Sequence, residues 1–320
     1  MNRDSPVPRA CYLLLCAVAD ALDTVLSFVS PTVRPPHSPS DIEHLTDLEI
    51  CQLRSPEGVL TPDLPGYPKF RVTPNTMLKQ SQDYEEDTSD ACEANALRVL
   101  CANTTIPVPH VRRVFHDGED RIIALEFIEG CTLAEAWPSY SVWRKLCVAF
   151  TLRRYLRQIR RFCKAPPGAP PGPVIVEGNA PRTCFVPSIF GEVKPERGPF
   201  AFYSDLTAFF NDRRDRAVPR DDPYRNIPFD DSQPLVLCHL DLNLRNIMAD
   251  KDNRLWIIDW SWSGYYPAWF EYIATTMQSQ MATVCGTDDY LWRLMIPFIC
   301  DPYFHHWRWL LKLGRSLSLK

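Results

Sequence analysis

The segment 235–260 constrains the fold more than any other part of the chain, because short apolar runs alternate in it with polar side chains. An apolar strand around Leu237 leads into a loop that carries Asp241, and Asn246 follows five residues later. A hairpin then starts a second apolar strand that ends at Asp259, thirteen residues beyond Asn246. Charged side chains rarely occupy such apolar surroundings without a partner or a metal. The joint spacing therefore predicts a functional site.

Phosphoryl transfer gives each of these three residues a chemical task. Its transition state is loose, so catalysis depends mostly on positioning and on the neutralisation of charge by Mg²⁺. Mg²⁺ prefers oxygen ligands, which Asn246 and Asp259 supply, and Asp241 can accept the proton of an incoming hydroxyl. Taken singly, such residues are more often turn or cap residues, and we interpret Asp250 and Asp252 in that way.

The runs His239-Leu240-Asp241 to Asn246 and Ile257-Ile258-Asp259-Trp260 resemble the catalytic and metal loops of the aminoglycoside/choline phosphotransferase-like kinases. The segment 261–267, with Glu271 beyond it, is similar to the fungal-type branch of that family. The resemblance implies a protein-kinase-like bilobal fold of the α+β class, with a small antiparallel β-sheet in the N-lobe and a mainly helical C-lobe. It also implies that Asp241 and Arg245 are catalytic, that Asn246 and Asp259 hold Mg²⁺, and that His239 orients the loop.

The same resemblance assigns nucleotide-binding parts to the first half of the chain. Thr76-Met77-Leu78-Lys79 is similar to the strand whose lysine contacts the phosphates, and Glu93 is similar to the helix glutamate that pairs with it. Glu126, Phe127 and Ile128 correspond to the hinge between the lobes, where backbone groups bind the base. Considered alone, Lys79 is more often an exposed charge and Glu93 a solvated helix residue. The family implies ATP as co-substrate, with GTP possible.

Three departures from kinase patterns leave alternatives open. The chain has no GxGxxG loop and no Walker A motif, and the stretch from Gly66 to Asn75 contains one glycine. The family's common glycine after the loop histidine is Leu240 here. No long activation segment follows Asp259, which argues against a protein kinase. A pseudokinase, a nucleotide or small-molecule binding module, and a family member recruited to other secondary-metabolite chemistry remain alternatives to the enzyme.

The pattern of elements divides the chain into three parts. Residues 1–40 are predicted to form a helix and a linker, 41–130 an N-lobe, and 131–320 a C-lobe that contains the catalytic and metal loops. The N-lobe is expected to contain two strands, a helix capped by Ser89 or Asp90, and two more strands. In the C-lobe, Ser141 to Phe162 has helical periodicity, with Leu146, Phe150, Leu152, Leu156 and Ile159 as core positions. We interpret five of its arginines as a solvated face: Arg153, Arg154, Arg157, Arg160 and Arg161.

Composition limits the classes of partner. The chain is 45% hydrophobic and 23% charged with a net charge of -4, and it lacks the basic stripe that nucleic-acid binding requires. Its 12 cysteines are scattered without metal-ligand spacing, as in a reduced cytosolic protein. We therefore expect a cytoplasmic monomer that binds a nucleoside triphosphate and a small-molecule acceptor, with no nucleic acid and no membrane as partners.

The stretch from Ala10 to Val29 is the only targeting candidate. It is apolar at first, but Asp20 and Asp23 interrupt it, and two aspartates inside a membrane span are costly. The alternative is a cleaved signal over residues 1–19, with Ala17-Val18-Ala19 at its end. We predict instead a helix that packs on the folded body.

Overall fold

The computed structural model describes residues 6–29, 33–60, 69–81, 91–191, 193, 195–284 and 289–318. The elements before the long central helix are α1 (Pro6–Val29), α2 (Asp47–Gln52), β1 (Lys69–Arg71), β2 (Thr76–Gln80), α3 (Cys92–Asn103), β3 (Val111–Asp117), β4 (Asp120–Glu126), β5 (Gly130–Thr132) and α4 (Leu133–Ala136). The remaining elements are α5 (Val142–Phe162), β6 (Cys184–Phe185), α6 (Pro187–Phe190), β7 (Glu196–Arg197), α7 (Tyr203–Ala217), β8 (Leu235–Cys238), β9 (Ile247–Asp250), β10 (Leu255–Ile257), β11 (Gly264–Pro267), α8 (Trp269–Val284), α9 (Tyr290–Ile299) and α10 (Phe304–Leu313).

The N-terminal sheet is antiparallel, with its strands in the order β1-β2-β4-β3. Successive side chains of a strand point to opposite faces, and both faces of the central strand β4 are buried. Ile123 and Leu125 join the main core, whereas Ile122 and Ala124 pack in a smaller cluster with Ile50 of α2. The predicted order of strand, strand, helix, strand, strand is confirmed, as is the α+β fold class. The predicted caps Ser89 and Asp90 lie outside the described residues.

Short strand pairs hold the segment that carries the predicted catalytic residues. β9 and β10 form the predicted hairpin, closed by a hydrogen bond from the N–H of Asn253 to the carbonyl of Asp250. The other edge of β9 pairs with β5, and β8 pairs with β11. The sequence pattern indicates neither β5 nor β11, because both are short and their partners lie far away along the chain. The β9–β10 hairpin therefore lies beside β5, the strand that follows the N-terminal sheet along the chain.

Helix α5 runs through the C-terminal part of the molecule. Ser141 caps its first turn, and Leu152, Leu156 and Ile159 are buried as predicted. Leu146 is 47% exposed, so its assignment to the core is wrong. The buried residues of α5 begin only at Val148, and Leu146 precedes them on the exposed side of the helix.

Four of the five arginines predicted to form a solvated face of α5 instead pair with acidic residues, and only the fifth, Arg161, is exposed as predicted. The side chain of Arg153 is 4% exposed and pairs with Asp20 at 2.7 Å and with Asp301 at 2.8 Å. Arg157 pairs with Asp23 at 3.0 Å. The interpretation from sequence is wrong here because the acidic partners lie on distant segments that periodicity cannot place beside the helix.

Helix α1 packs on the C-terminal part, as predicted. The hydroxyl of Tyr12 donates to the carbonyl of Leu294, and Cys16 and Ala19 are buried. Of the helices that the structure describes, none is sufficiently long and apolar to cross a bilayer.

Candidate active site

Four charged side chains form a cluster where the N-terminal sheet meets the loop that follows β10. The ammonium group of Lys79 lies 2.8 Å from Glu93 and 2.5 Å from Asp259. Both Lys79 and Glu93 are 3% exposed, so the pair is buried, and Glu93 also accepts a hydrogen bond from the N–H of Trp260 at 3.1 Å. The predicted pairing of Lys79 with Glu93 is present, and Asp259 joins it. These contacts connect a strand, a helix and a loop that are far apart in the sequence.

Lys69 completes this cluster, and sequence reasoning missed it. Its ammonium group lies 2.8 Å from the second oxygen of Asp259. Lys69 stands directly opposite Lys79 on the adjacent strand, an arrangement of like charges that is destabilising unless an anion lies between them. Asp259 is that anion. The sequence does show a lysine at the start of a strand. The strand register that places this lysine opposite Lys79 cannot be read from the sequence.

Charge balance in the cluster fixes the state of Asp259. Burial by itself raises the pKa of a carboxyl group, but Lys79 and Lys69 outweigh burial and hold the pKa of Asp259 well below its usual range. Burial likewise lowers the pKa of an ammonium group, yet Asp259 and Glu93 raise the pKa of Lys79 above its ordinary value. At neutral pH the cluster therefore holds Asp259 as an anion and Lys79 as a cation.

His239 connects the Asp241 loop with the Asp259 loop. Its Nδ1 accepts from the N–H of Asp241 at 3.1 Å, and its Nε2 lies 3.0 Å from the carbonyl of Ile258. Since Nδ1 accepts, the hydrogen is on Nε2, which donates to Ile258. Burial lowers the pKa of His239 to about 4, so the ring is neutral. The orienting hydrogen bonds expected of His239 are present.

Asp241 lies in a loop that two amide side chains hold in place. Asn243 donates to one carboxylate oxygen at 3.0 Å, and Asn246 donates to the other at 2.7 Å. Burial and the nearby charge of Asp259 raise the pKa of Asp241 to about 7. This carboxylate is thus poised to exchange a proton close to neutral pH.

Glu271, in the first turn of α8, supports the loop that carries Asp241 by hydrogen bonds to its backbone. Its carboxylate accepts from the N–H of His239 at 2.6 Å and from the N–H of Leu240 at 3.3 Å. Leu240 has a φ of 64°, in the left-handed region that glycine adopts without strain. The structure thus explains the family's glycine at this position, and the bond to Glu271 helps to hold Leu240 there. No supporting role for Glu271 follows from the sequence.

Arg245 is exposed at the end of this loop. Its N–H donates to the side chain of Asn243 at 2.9 Å, and its guanidinium group forms no ion pair with any described residue. The positive charge of Arg245 nevertheless lowers the pKa of Asp241, which opposes the effect of burial. Its catalytic role stays a prediction.

The predicted hinge follows the end of β4. The N–H of Glu126 donates to the carbonyl of His110, and the N–H of Phe127 donates to the carbonyl of Asn75, both at 2.8 Å. Two of the three amides assigned to the base are therefore used inside the protein. The amide of Ile128 donates to no described residue. The predicted contact with the base is therefore left to the backbone groups of the hinge other than the amides of Glu126 and Phe127, and the amide of Ile128 is one of them.

The side chain of Glu126 has a structural task. It is buried and accepts from the imidazole of His37 at 2.7 Å and from the N–H of Ser38 at 2.6 Å. The linker that follows α1 is thereby fastened to the end of the sheet, next to the hinge.

The model of APH, the phosphotransferase enzyme family, matches residues 69–293. The chain belongs to this family. All the predicted site residues fall within the matched range, although the match does not test their individual roles. The narrower resemblance to the fungal-type branch stays a prediction.

Similarity to solved phosphotransferase structures is weak in sequence. The AMP-bound spectinomycin phosphotransferase is 12% identical, with a TM-score of 0.41 and coverage of 79% of each chain. A GDP complex of a mutant aminoglycoside 2′-phosphotransferase IIIa is 11% identical, with a TM-score of 0.40 and coverage of 93% of each chain. A search of the curated proteins gave no match.

The side-chain oxygens of Asn246 and Asp259 in this phosphotransferase are of the kind that magnesium prefers as ligands. Asn246 donates through its NH₂ group to both the carbonyl and the carboxylate of Asp241, so its amide oxygen is left without a described donor. Asp259 supplies carboxylate oxygens. Within the described part of the chain, no three His, Cys, Asp or Glu side chains form a metal-binding group. Mg²⁺ is usually held by one or two carboxylates plus waters and substrate phosphates, which is compatible with this donor set.

Proposed function

We propose that this phosphotransferase transfers the γ-phosphoryl group of a nucleoside triphosphate to a hydroxyl group of a small molecule. The observation that carries the proposal is the connection through His239, which fixes Asp241 and the Asp259 loop relative to each other. Phosphoryl transfer depends mainly on such positioning and on electrostatic stabilisation. A proton acceptor and an ionised carboxylate, held in a fixed arrangement, are what the reaction needs.

Asp241 is the proposed general base. Its carboxylate accepts the proton of the acceptor hydroxyl while the hydroxyl oxygen bonds to the γ-phosphorus. The bond from this phosphorus to the bridging oxygen breaks, and a nucleoside diphosphate leaves. Asn243 and Asn246 orient the carboxylate, and a pKa of about 7 suits proton transfer near neutral pH.

The remaining residues bind the triphosphate. Asn246 and Asp259 are the proposed ligands of Mg²⁺, which neutralises phosphate charge when it is bound. Lys79, held by Glu93, contributes a fixed positive charge to the phosphates. The hinge, with the free amide of Ile128, is the proposed site of the base, which belongs to ATP or GTP. Arg245 is the proposed second catalytic residue, because it is exposed in the loop that carries Asp241 and its positive charge acts on that carboxylate.

The test compares Asp241→Asn with the wild-type protein in an assay of nucleoside diphosphate release, using MgATP or MgGTP and a library of hydroxylated metabolites. Turnover of Asp241→Asn should fall by about two to four orders of magnitude, the range typical of lost general-base catalysis, while nucleotide affinity measured by calorimetry survives. Asp252→Asn, in the exposed turn after β9, is the matched control and should behave as wild type. Near-normal turnover of Asp241→Asn contradicts the assignment.

A binding module without turnover is the second candidate, and one observation favours it. Both oxygens of Asp259 are held by lysines, which is an arrangement that competes with a metal ion. Such a protein would bind a nucleotide in the calorimeter but release no diphosphate with any acceptor. The wild-type measurement alone separates the two candidates.

A further inference from the structure

Helix α1 has its two aspartates on the side that faces the protein. Asp20 pairs with the buried Arg153 at 2.7 Å, and Asp23 pairs with Arg157 at 3.0 Å. These two aspartates are the only charged residues between Ala10 and Leu26. Their inward orientation leaves the opposite side of the helix without charge.

The outward side of α1 is apolar. Seven of its large side chains are between 47% and 67% exposed: Leu13, Leu14, Leu15, Val18, Leu22, Val25 and Leu26. Alanines and one threonine are the other exposed residues within this stretch, apart from Cys11. Contiguous exposed apolar surface of this kind marks an interaction site, whereas single exposed leucines do not.

The width of this surface favours lipid over a partner helix. A coiled-coil seam is a narrow apolar stripe flanked by charged positions. On α1 the outward residues occur on consecutive positions, such as 13–15 and 24–26, and therefore cover a broad arc with no charged flanks. A broad apolar face suits a helix that lies in the interface of a bilayer.

The surface beside α1 has the charge that anionic lipids require. A cavity of about 660 Å³ between α1 and α5 is lined by six cationic and three acidic side chains. Asp20 and Asp23 of α1 pair with Arg153 and Arg157 of α5, and Arg161 and Lys164 line the same cavity as these two aspartates. Arg161, at the C-terminal end of α5, is exposed, as is Lys164 just beyond it, and neither pairs with a described acid.

We propose that α1 is a membrane-surface helix that lies along an anionic bilayer, with its outward apolar side in the interface and Arg161 and Lys164 against the headgroups. This differs from the expectation from sequence that the protein has no membrane partner. That expectation rested on Asp20 and Asp23 as interruptions of the apolar run, and the structure turns both of them towards the protein. The helix lies on the bilayer and does not cross it.

The test is co-sedimentation of the full-length protein with vesicles of phosphatidylcholine alone or mixed with phosphatidylserine. The wild-type protein should bind the vesicles that contain phosphatidylserine more tightly than vesicles of phosphatidylcholine alone. The variant Leu14→Gln/Val18→Gln should lower the partition coefficient about 10- to 100-fold, because two side chains leave the apolar interface. Glutamine favours helix as leucine does, and both side chains face outwards, so thermal unfolding should be unchanged. Val142→Gln/Trp143→Gln removes exposed apolar groups elsewhere and should bind as wild type.

A second variant tests the basic contribution. Arg161→Gln/Lys164→Gln should lower binding to the anionic vesicles about tenfold and leave binding to neutral vesicles unchanged, because each basic side chain near such a surface contributes about 1 kcal/mol. No binding of the wild-type protein to either vesicle overturns the proposal. So does a dimer in light scattering that Leu14→Gln/Val18→Gln dissociates without vesicle binding, since a second copy of the chain would then be the occupant.

Discussion

Asp241 and Asp259 lie in two loops that His239 connects, but their surroundings shift their pKa values in opposite directions. Both are removed from solvent, which raises the pKa of a carboxyl group. For Asp241 the neighbouring charge of Asp259 adds to that effect, and its pKa is about 7. For Asp259 the ammonium groups of Lys79 and Lys69 overcome burial, and its pKa is well below the usual range.

The difference shows that the N-terminal sheet, not the loops themselves, separates the two carboxylates. Both lysines project from β1 and β2 onto Asp259, whereas the carboxylate of Asp241 accepts, among the described residues, hydrogen bonds from the amide side chains of its own loop. One carboxylate is kept ionised as a site for cations, and the other is left able to take up a proton. Identical side chains thus acquire different chemistry from the elements that pack on them.

The largest effect is expected when the anion between the lysines is removed. Asp259→Asn keeps the shape of the side chain but leaves Lys69 and Lys79 opposite each other with only Glu93 as counter-charge. We expect turnover to fall about a thousandfold or more, which is the upper range for loss of one electrostatic contact in an active site. Calorimetry should also show loss of Mg²⁺-dependent nucleotide affinity.

Circular dichroism and thermal unfolding identify any Asp259→Asn preparation that has not folded. A folded variant with unchanged Mg²⁺-nucleotide affinity would show that Asp259 is only structural. The comparison between the two carboxylates would then lose its functional meaning.

The sequence predicts the parts of this site that depend on local spacing. The interval from Asp241 to Asn246 and Asp259 is set by one hairpin, so it can be read from the primary structure. Lys79 and Glu93 are also predicted, because their segments resemble the strand and the helix of the family and precede the catalytic loop in the same order.

The parts that depend on strand register or on tertiary contacts could not be predicted. Lys69 meets Asp259 only because β1 pairs with β2 in one particular register. The arginines of α5 look solvated until α1 and the residues around Asp301 are packed against them. Likewise, periodicity places Asp20 and Asp23 within an apolar helix but does not show which way they face.

An intermediate effect is expected at Lys69, where the comparison can be sharpened. Lys69 is a quarter exposed and its ammonium group has Asp259 as its one partner among the described residues, whereas Lys79 is also held by Glu93. Lys69→Met keeps the apolar stem and frees one oxygen of Asp259. Because a competing cation is gone, we expect Mg²⁺ or Mn²⁺ without nucleotide to bind about 10- to 100-fold more tightly, as expected for loss of one charge-assisted hydrogen bond.

Lys69→Arg is the matched control, because it keeps a positive charge beside Asp259 and should bind the metal as the wild-type protein does. Equal metal affinity in Lys69→Met and in the wild type would show that Lys69 does not compete with the metal ion. The titration is followed by calorimetry and does not require a known acceptor.

The smallest effect concerns the support of the Asp241 loop by Glu271. Burial raises the pKa of Glu271 to about 7. The folded protein therefore binds its proton more tightly than the unfolded chain does, so stability is greatest below the ordinary pKa of a glutamic acid and falls as the pH rises towards 7. Asp241 contributes with the same sign, since its pKa is also raised to about 7. Asp259 contributes with the opposite sign, because its pKa is lowered.

Glu271→Gln separates these contributions, because glutamine cannot ionise. The decrease in the free energy of unfolding between pH 5 and pH 8, measured by urea denaturation, should be smaller in Glu271→Gln than in the wild type by about 1 to 2 kcal/mol. Glu271→Gln should also be less stable than the wild type at every pH. The glutamine amide offers a single acceptor oxygen to the N–H groups of His239 and Leu240, whereas the carboxylate offers two oxygens. Glu119→Gln, in the exposed turn after β3, should keep the wild-type decrease. An unchanged decrease in Glu271→Gln would show that Glu271 does not hold its proton near neutral pH, and the raised pKa in this loop would then belong to Asp241 alone.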